Sequence, residues 1–235
     1  MFSHTHERIR MVERDLVARG LHDPAVLTAM REVPRERFVD PGMEDVAYRD
    51  SPLPIGERQT ISQPFIVALM AETARLQPGD RVLEVGTGSG YAAAVFAHVA
   101  AQVYTIERHA TLAHGAERRF AELGYANIRV RVGDGSRGWP EHAPYDAIIV
   151  AAGAPEPPRA LREQLAIGGR LVLPVGDLHL GQRLVRITRT GTDDYAHQDL
   201  GGVSFVPLVG EQGWTEQGDR DHHTKSPRTT GTGER

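Results

Sequence analysis

Between Arg81 and Leu173 short apolar runs alternate with stretches of helical periodicity, and nothing else in the chain restricts its fold so tightly. Arg81-Val82-Leu83-Glu84-Val85 is one such run, ending in glycines. Val103-Tyr104-Thr105-Ile106, Ala147-Ile148-Ile149-Val150-Ala151-Ala152 and Leu171-Val172-Leu173 are others. Runs this short and this apolar read as strands buried on both faces. Residues 91–101 are Ala-rich and helical. Residues 110–123 carry Leu112, Ala116, Phe120 and Leu123 in helical register, and 157–166 read as a further helix. Ile128, Val130 and Val132 alternate with Arg129 and Arg131, the pattern of a less buried strand at a sheet edge. Strands alternating with helices of about ten residues or more are βαβ units. The expectation is an α/β fold with a doubly wound, mostly parallel, Rossmann-like sheet.

The flanks differ. Ile9, Val12, Leu16 and Val17 recur at helical spacing, with Gly20 at the helix end. Asp23-Pro24 is a cap followed by a first-turn proline, ahead of Val26, Leu27 and Met30, and Pro34 stops that helix. Residues 40–62 are punctuated by Pro41-Gly42, Pro52, Pro54 and Gly56 and read as irregular. A helix is expected from near Pro64 to about Leu76. Residues 183–209, with Leu184-Val185-Arg186-Ile187 and Val203 through Val209, read as a closing β-ribbon. One domain over 1–214 follows: an N-terminal helical part to about 62, a ligand-binding core over about 63–182 and a ribbon over about 183–214. Residues 215–235 have no large apolar side chain and read as a disordered tail.

Glu84-Val85-Gly86-Thr87-Gly88-Ser89-Gly90 follows a strand and opens a helix. Glycines there let the backbone turn sharply and approach a ligand. The dinucleotide fingerprint G-x-G-x-x-G needs a glycine at position 91, which is Tyr91, so a hydride-transfer enzyme is disfavoured. Glu107 ends the second strand, where an acid accepts from ribose hydroxyls, and Asp134 follows the third, where an acid can accept from an adenine amino group. Glu84, Glu107 and Asp134 all stand at the C-terminal ends of strands, where open α/β sheets bind ligands. S-adenosylmethionine accounts for the set, with a cationic sulfonium and ammonium, two ribose hydroxyls and an adenine.

Other chemistries recede. There is no cysteine, which excludes disulfides, thiolate nucleophiles and Cys-ligated zinc or iron–sulfur clusters. The 11 histidines show no ligand spacing, and no metal site is expected. A net charge of −4 offers no basic excess for nucleic acid. No apolar run approaches the ~18 residues that span a bilayer. Met1-Phe2-Ser3-His4-Thr5-His6-Glu7-Arg8 lacks the apolar stretch of a signal peptide, so a cytoplasmic protein is expected, acting as a monomer.

The sequence resembles the protein-L-isoaspartate O-methyltransferases of bacterial type over roughly residues 7–210. Val33-Pro34-Arg35-Glu36-Arg37-Phe38-Val39, the glycine loop, Gly133-Asp134-Gly135, the runs at 145–150 and 168–176, and Phe205-Val206-Pro207-Leu208-Val209 carry the likeness. Gln59-Thr60-Ile61-Ser62-Gln63-Pro64 is its most specific segment. The resemblance implies S-adenosylmethionine-dependent esterification of the free carboxyl of L-isoaspartyl and D-aspartyl residues in damaged proteins, with S-adenosylhomocysteine as product. The ester then closes to a succinimide, whose hydrolysis returns some normal aspartate. It implies Ser62 as the catalytic residue. Thr60, Ile61, Glu84, Gly86, Gly88, Ser89, Gly90, Glu107, Asp134 and Gly135 would hold the cofactor, and Ser62, Gln63, Val206 and Leu208 the substrate. Arg58 stands where the family usually has a small residue, and Phe65 where Tyr is frequent. An alternative within the same chemistry is a relative that methylates an Asp of one precursor peptide to form an aspartimide.

A carboxylate, with a pKa near ~4, is already ionised at neutral pH and needs no general base. Alignment is what an enzyme must add. Pro64 at a helix start sets Ser62 and Gln63 beside backbone N–H groups expected to be free and to favour an anion. The expected role of Ser62 is therefore to orient the substrate carboxylate, not to attack it.

Overall fold

The computed structural model describes residues 4–177 and 180–215, so all but the first residue of the expected tail lies outside the described residues. The chain enters through α1 (Thr5–Met11), a π-helical turn (Val12–Leu16) and a 3-10 turn (Val17–Arg19), ending at Gly20 with φ +92°. Met11, Val12 and Leu16 are buried, but Ile9 is 43% exposed and Val17 39% exposed. The wider π turn rotates the apolar face away from the register that plain helical spacing assumes. In α2 (Pro24–Glu32) the Asp23 side chain accepts from the N–H groups of Ala25 and Val26, and Val26, Leu27 and Met30 are buried.

Residues 40–62 are more ordered than their punctuation suggests. They hold 3-10 turns and a small antiparallel hairpin of β1 (Leu53–Pro54) and β2 (Thr60–Ile61). Then come α3 (Pro64–Ala74), β3 (Arg81–Val85), α4 (Tyr91–Val99), β4 (Gln102–Glu107), α5 (Ala110–Leu123), β5 (Ile128–Val132) and β6 (Tyr145–Val150). Closing the sequence are α6 (Arg159–Glu163), β7 (Leu165–Asp177), β8 (Gly181–Arg189) and β9 (Tyr195–Val203). The main sheet has the order β5-β4-β3-β6-β7-β8-β9. Its pairs from β5 to β7 are parallel, and β7-β8-β9 is antiparallel. This is the doubly wound α/β sheet expected, with β5 at the edge.

Two expectations are corrected. Helix α6 spans five residues rather than 157–166, because Leu165 already pairs with Tyr145 and the chain is committed to the sheet. The ribbon ends at Val203 and does not run through Val209. Gln182 takes the Phe205 N–H at 2.7 Å and donates to its carbonyl at 3.1 Å, while Pro207 has no N–H for a ladder. Val206 and Leu208 instead bond Gly153 (Gly153 N–H to Val206 carbonyl and Leu208 N–H to Gly153 carbonyl, each 2.8 Å). The segment is thereby carried back over the end of β6.

Each strand feeds two apolar layers, because successive side chains leave opposite faces. Val82, Val103, Ala147 and Val172 join a core with the N-terminal helices, α3 and α4. Leu83, Tyr104, Ile148 and Leu171 join the other, with Leu161 of α6.

Candidate active site

The loop after β3 turns three times through left-handed backbone, with φ of +98° at Gly86, +53° at Gly88 and +93° at Gly90. This explains the alternate glycines. A Cβ on Gly90 would also stand 2.6 Å from the Phe120 ring, so α5 packs directly on the loop. The Gly86 N–H donates to the Ile106 carbonyl (2.8 Å) and the Gly88 N–H to a Glu107 carboxylate oxygen (2.8 Å). The other Glu107 oxygen accepts the His109 N–H at 3.0 Å. Loop and β4 end are thus tied into one rigid rim.

A cavity opens on this rim. Its lining includes Gly86, Gly88, Ser89 and Glu107 from the sheet side, and Thr60, Ile61 and Ser62 from the β1–β2 hairpin side. Gly135, Ala151, Val206 and Leu208 complete it. Gly90 lies behind the lining, against Phe120.

Two of the three acids do not reach the cavity wall. Glu84 shares the sheet face of Val82, among apolar groups, and is 1% exposed. The Thr105 hydroxyl donates to it at 2.5 Å and contacts the Thr87 hydroxyl at 2.6 Å, so Thr87 stands between Glu84 and the cavity. Burial pushes the Glu84 carboxyl up to about 8, the Glu107 carboxylate adding to the rise and the Thr105 hydroxyl opposing it. Its Oε1 has no hydrogen-bond partner among the described residues. Asp134 caps the 3-10 turn Gly135–Arg137, accepting from Ser136 N–H (2.9 Å) and hydroxyl (2.7 Å). Its second oxygen accepts the Glu211 N–H at 2.8 Å, so it fastens the last described segment beside the cavity. Glu107 alone of the three presents its carboxylate at the lining.

A second cavity, about 840 Å³, adjoins the first; its size is within the ordinary range for ligand sites. Gln63 and Phe65 line it, and Thr60, Ser62, Ala151 and Val206 line both cavities. The Ser62 hydroxyl makes no hydrogen bond to any described residue and stands in this shared wall. No histidine stands in the shared wall.

The start of α3 corrects the sequence expectation. The Phe65 N–H donates to Asp50 at 3.0 Å, and the Ile66 and Val67 N–H groups both reach the Gln63 carbonyl. The N-terminus is already capped by a carboxylate, so it does not offer free donors to a substrate anion. Asp50 also accepts from the Gln63 amide at 2.6 Å and from Arg19 at 2.7 Å. Sequence reasoning missed Asp50 and Arg19, which lie 15 and 46 residues before Phe65 and carry no local motif. It also passed over His109, whose Nε2 is buried without a partner among the described residues although the residue lines the first cavity. Standing two residues past the Glu107 strand end was the only signal it had.

Arg58 has φ +57° and Glu57 +48°, in the turn joining β1 to β2. Glu57 also faces His109, 3.8 Å from Nδ1, across the rim. Tyr91 lines the first cavity and is buried, with the Arg35 guanidinium 4.7 Å from its ring centroid. Among the described residues no group of three His, Asp or Glu side chains is placed to hold a metal ion.

The family model for protein-L-isoaspartate(D-aspartate) O-methyltransferase matches residues 7–213. A Pelobacter propionicus protein-L-isoaspartate O-methyltransferase 2 is 57% identical over 209 residues, covering 89% of this chain and 93% of its own length. A Rhodopseudomonas palustris protein-L-isoaspartate O-methyltransferase 1 is 60% identical over 208 residues, covering 88% and 85%. Among solved structures, a protein-L-isoaspartate O-methyltransferase superposes with a TM-score of 0.79 at 30% identity, over 89% of this chain and 67% of its own. A Plasmodium falciparum structure described as a beta-aspartate methyltransferase, in complex with S-adenosyl-L-homocysteine, gives 0.74 at 27% identity, over 86% and 98%.

Proposed function

The chain belongs to the protein-L-isoaspartate(D-aspartate) O-methyltransferase family, and on that premise we propose how its own residues carry the reaction. The enzyme uses S-adenosylmethionine to esterify the free carboxyl of L-isoaspartyl and D-aspartyl residues in damaged proteins and peptides, which starts repair through a succinimide. Nothing in the site favours a dedicated precursor peptide over damaged proteins.

The first cavity suits the cofactor by its donor set. It combines the close backbone of the glycine loop and the Ser89 side chain, one carboxylate at Glu107, and apolar walls at Ile106, Ala151 and Leu208, with Arg108 and His109 also in the lining. That is the lining an amphipathic, cationic nucleoside needs. Thr60, Ile61, Gly86, Gly88, Ser89, Glu107 and Gly135 would hold it directly. Gly90, Glu84 and Asp134 would act from behind: Gly90 by keeping α5 against the loop, Glu84 through Thr87 and Thr105, Asp134 by fastening the segment that closes the cavity. When bound, S-adenosylmethionine supplies an electrophilic methyl group on a positively charged sulfur. The substrate carboxylate oxygen forms the new C–O bond as the C–S bond breaks, and no proton moves.

One observation supports this division of labour above the others. The two cavities meet at Thr60, Ser62, Ala151 and Val206, so a methyl donor in one and a peptide in the other face each other across Ser62. The unpaired Ser62 hydroxyl donates to the substrate carboxylate and fixes its line of approach, and Gln63 and Val206 position the peptide around it; Leu208, expected from the sequence to hold the peptide, lines the first cavity only. Holding reactants in line is worth about 7–11 kcal/mol in favourable cases. The test is transfer of labelled methyl to an isoaspartyl peptide, with its normal-aspartyl counterpart as control. Label on the isoaspartyl peptide alone is expected; equal label on both would overturn the assignment.

We further read residues 1–214 as one domain, supported by an apolar cluster that runs from Met11 to Leu184. We also take the protein to be a cytoplasmic monomer with no membrane or nucleic-acid partner; a net charge of −4 offers no basic excess for a phosphate backbone. No helix among the described residues is long and apolar enough to cross a membrane.

A further inference from the structure

Resting on the assignment of the second cavity to the substrate peptide, we propose that Arg19 sets flanking-sequence specificity by binding a carboxylate of the peptide beside the isoaspartyl residue. Arg19 ends the 3-10 turn Val17–Arg19, far in sequence from every other residue of the site. The fold brings its guanidinium over the Phe65 ring, 3.4 Å from the centroid. Of the side chains lining this cavity, Arg19 alone is charged; the rest are apolar, Thr, Ser, Gln or glycine.

The guanidinium is pinned on one side and open on the other. Nη1 pairs with Asp50 at 2.7 Å, and its remaining nitrogens bond no described residue. The side chain is 45% exposed. Asp50 holds Arg19 in place but does not line the cavity, and its oxygens are occupied by Arg19, Gln63 and the Phe65 N–H. A peptide therefore meets the cation and not its partner. A planar fork held by a ring beneath and a carboxylate at one arm is ordered before binding. Its free edge matches the two oxygens of a second carboxylate. Phe65 favours this arrangement because its ring offers a π face and no competing hydroxyl.

Two sources supply such a carboxylate: an acidic side chain flanking the isoaspartyl residue, or the C-terminus of a short peptide. The experiment measures KM and kcat of the full chain with labelled S-adenosylmethionine. The substrates are isoaspartyl peptides with amidated ends flanked by Glu, Ala or Lys, and the Ala-flanked peptide with a free C-terminus. The wild type should show the lowest KM for Glu flanks, for the free C-terminus, or for both, and these arms identify the source. In Arg19→Gln the KM for the preferred carboxylate peptide should rise about three- to tenfold relative to that for the amidated Ala-flanked peptide, as for a partly exposed charge-assisted contact. Arg19→Lys should recover part of the preference, and Arg19→Glu should turn it toward Lys flanks. An equal rise in KM for every peptide would make Arg19 a structural pin only and overturn the proposal. So would a wild type indifferent both to flank charge and to a free C-terminus while turning over the Ala-flanked peptide, and that result would leave the methyltransferase assignment standing. If the wild type esterifies no isoaspartyl peptide, the assignment of the cavity fails and Arg19 with it.

Discussion

Ser62 illustrates what a single residue can and cannot announce. Its neighbours Gln59 to Pro64 mark it in the sequence, but its place between two cavities depends on the hairpin and on Val206 from the far end of the chain. Ser62→Ala should lower kcat/KM by about tenfold to a hundredfold, the scale of a lost hydrogen bond to a charged group, at about 1.5–3 kcal/mol. The affinity for S-adenosylhomocysteine, measured by calorimetry, should stay within about twofold, since in the proposed arrangement Ser62 meets the reacting oxygen and only borders the cofactor. Glu84 was legible as an acid at a strand end, but not as a group sealed behind two threonine hydroxyls. Its carboxyl is held up at about 8 in the fold by burial, whereas an unfolded chain releases the proton near ~4.3. Between those values the unfolded state binds fewer protons than the folded one, so the ligand-free enzyme loses stability as pH rises from about 4.3 to about 8. Glu84→Gln, which cannot ionise, should flatten that fall. Thermal unfolding of both proteins at pH 5 and pH 8 checks it: the variant should gain on the wild type at pH 8, and an unchanged difference between the two pH values would contradict the burial argument.

At the scale of elements, β3 through β6 and their helices were readable because each repeats one rule, a short apolar run followed by an amphipathic stretch. Where a second rule intervened, spacing misled. The π turn at Val12–Leu16 rotated a helix face, and the Gln182 side chain drew Phe205 out of the ribbon. The hairpin of β1 and β2 was hidden because each strand is two residues long, too short for any alternation to register. Its turn holds Glu57 and Arg58 in left-handed backbone, a conformation that costs about 1–2 kcal/mol for a residue with a Cβ. Arg58→Gly should remove most of that cost while giving back about 0.5–1 kcal/mol of unfolded-chain entropy. A net gain of about 0.5–1 kcal/mol is expected in denaturant unfolding. Arg58→Val should destabilise, because a branched Cβ tolerates positive φ worst.

The whole molecule was legible as an α/β sheet with its ligand at the strand ends, since strand order and connection rules leave few alternatives. The meeting of Arg19, Asp50 and Phe65 was not, because it depends on how the N-terminal turns pack against α3, and sequence patterns report faces rather than partners. Ligand binding should register on the fold as a unit. Loop, hairpin and the Val206–Leu208 stretch all border one cavity, so S-adenosylhomocysteine at 100 times its Kd should add about 2.7 kcal/mol to stability. For a chain of this size that raises Tm by about 5–10 °C. A shift below about 2 °C at that concentration would mean that the native fold does not bind the nucleoside.

The tie between Gly153 and the stretch from Val206 to Leu208 carries one more consequence. That stretch follows every strand of the sheet in chain order, and it supplies Val206, a residue on which both cavities depend. A chain emerging from the ribosome can therefore complete its glycine loop and most of its sheet while the reaction chamber still lacks a side. In the proposed arrangement catalytic competence arrives as a late step of synthesis, and a product cut off soon after Val203 would contain every strand yet leave the methyl group facing open water.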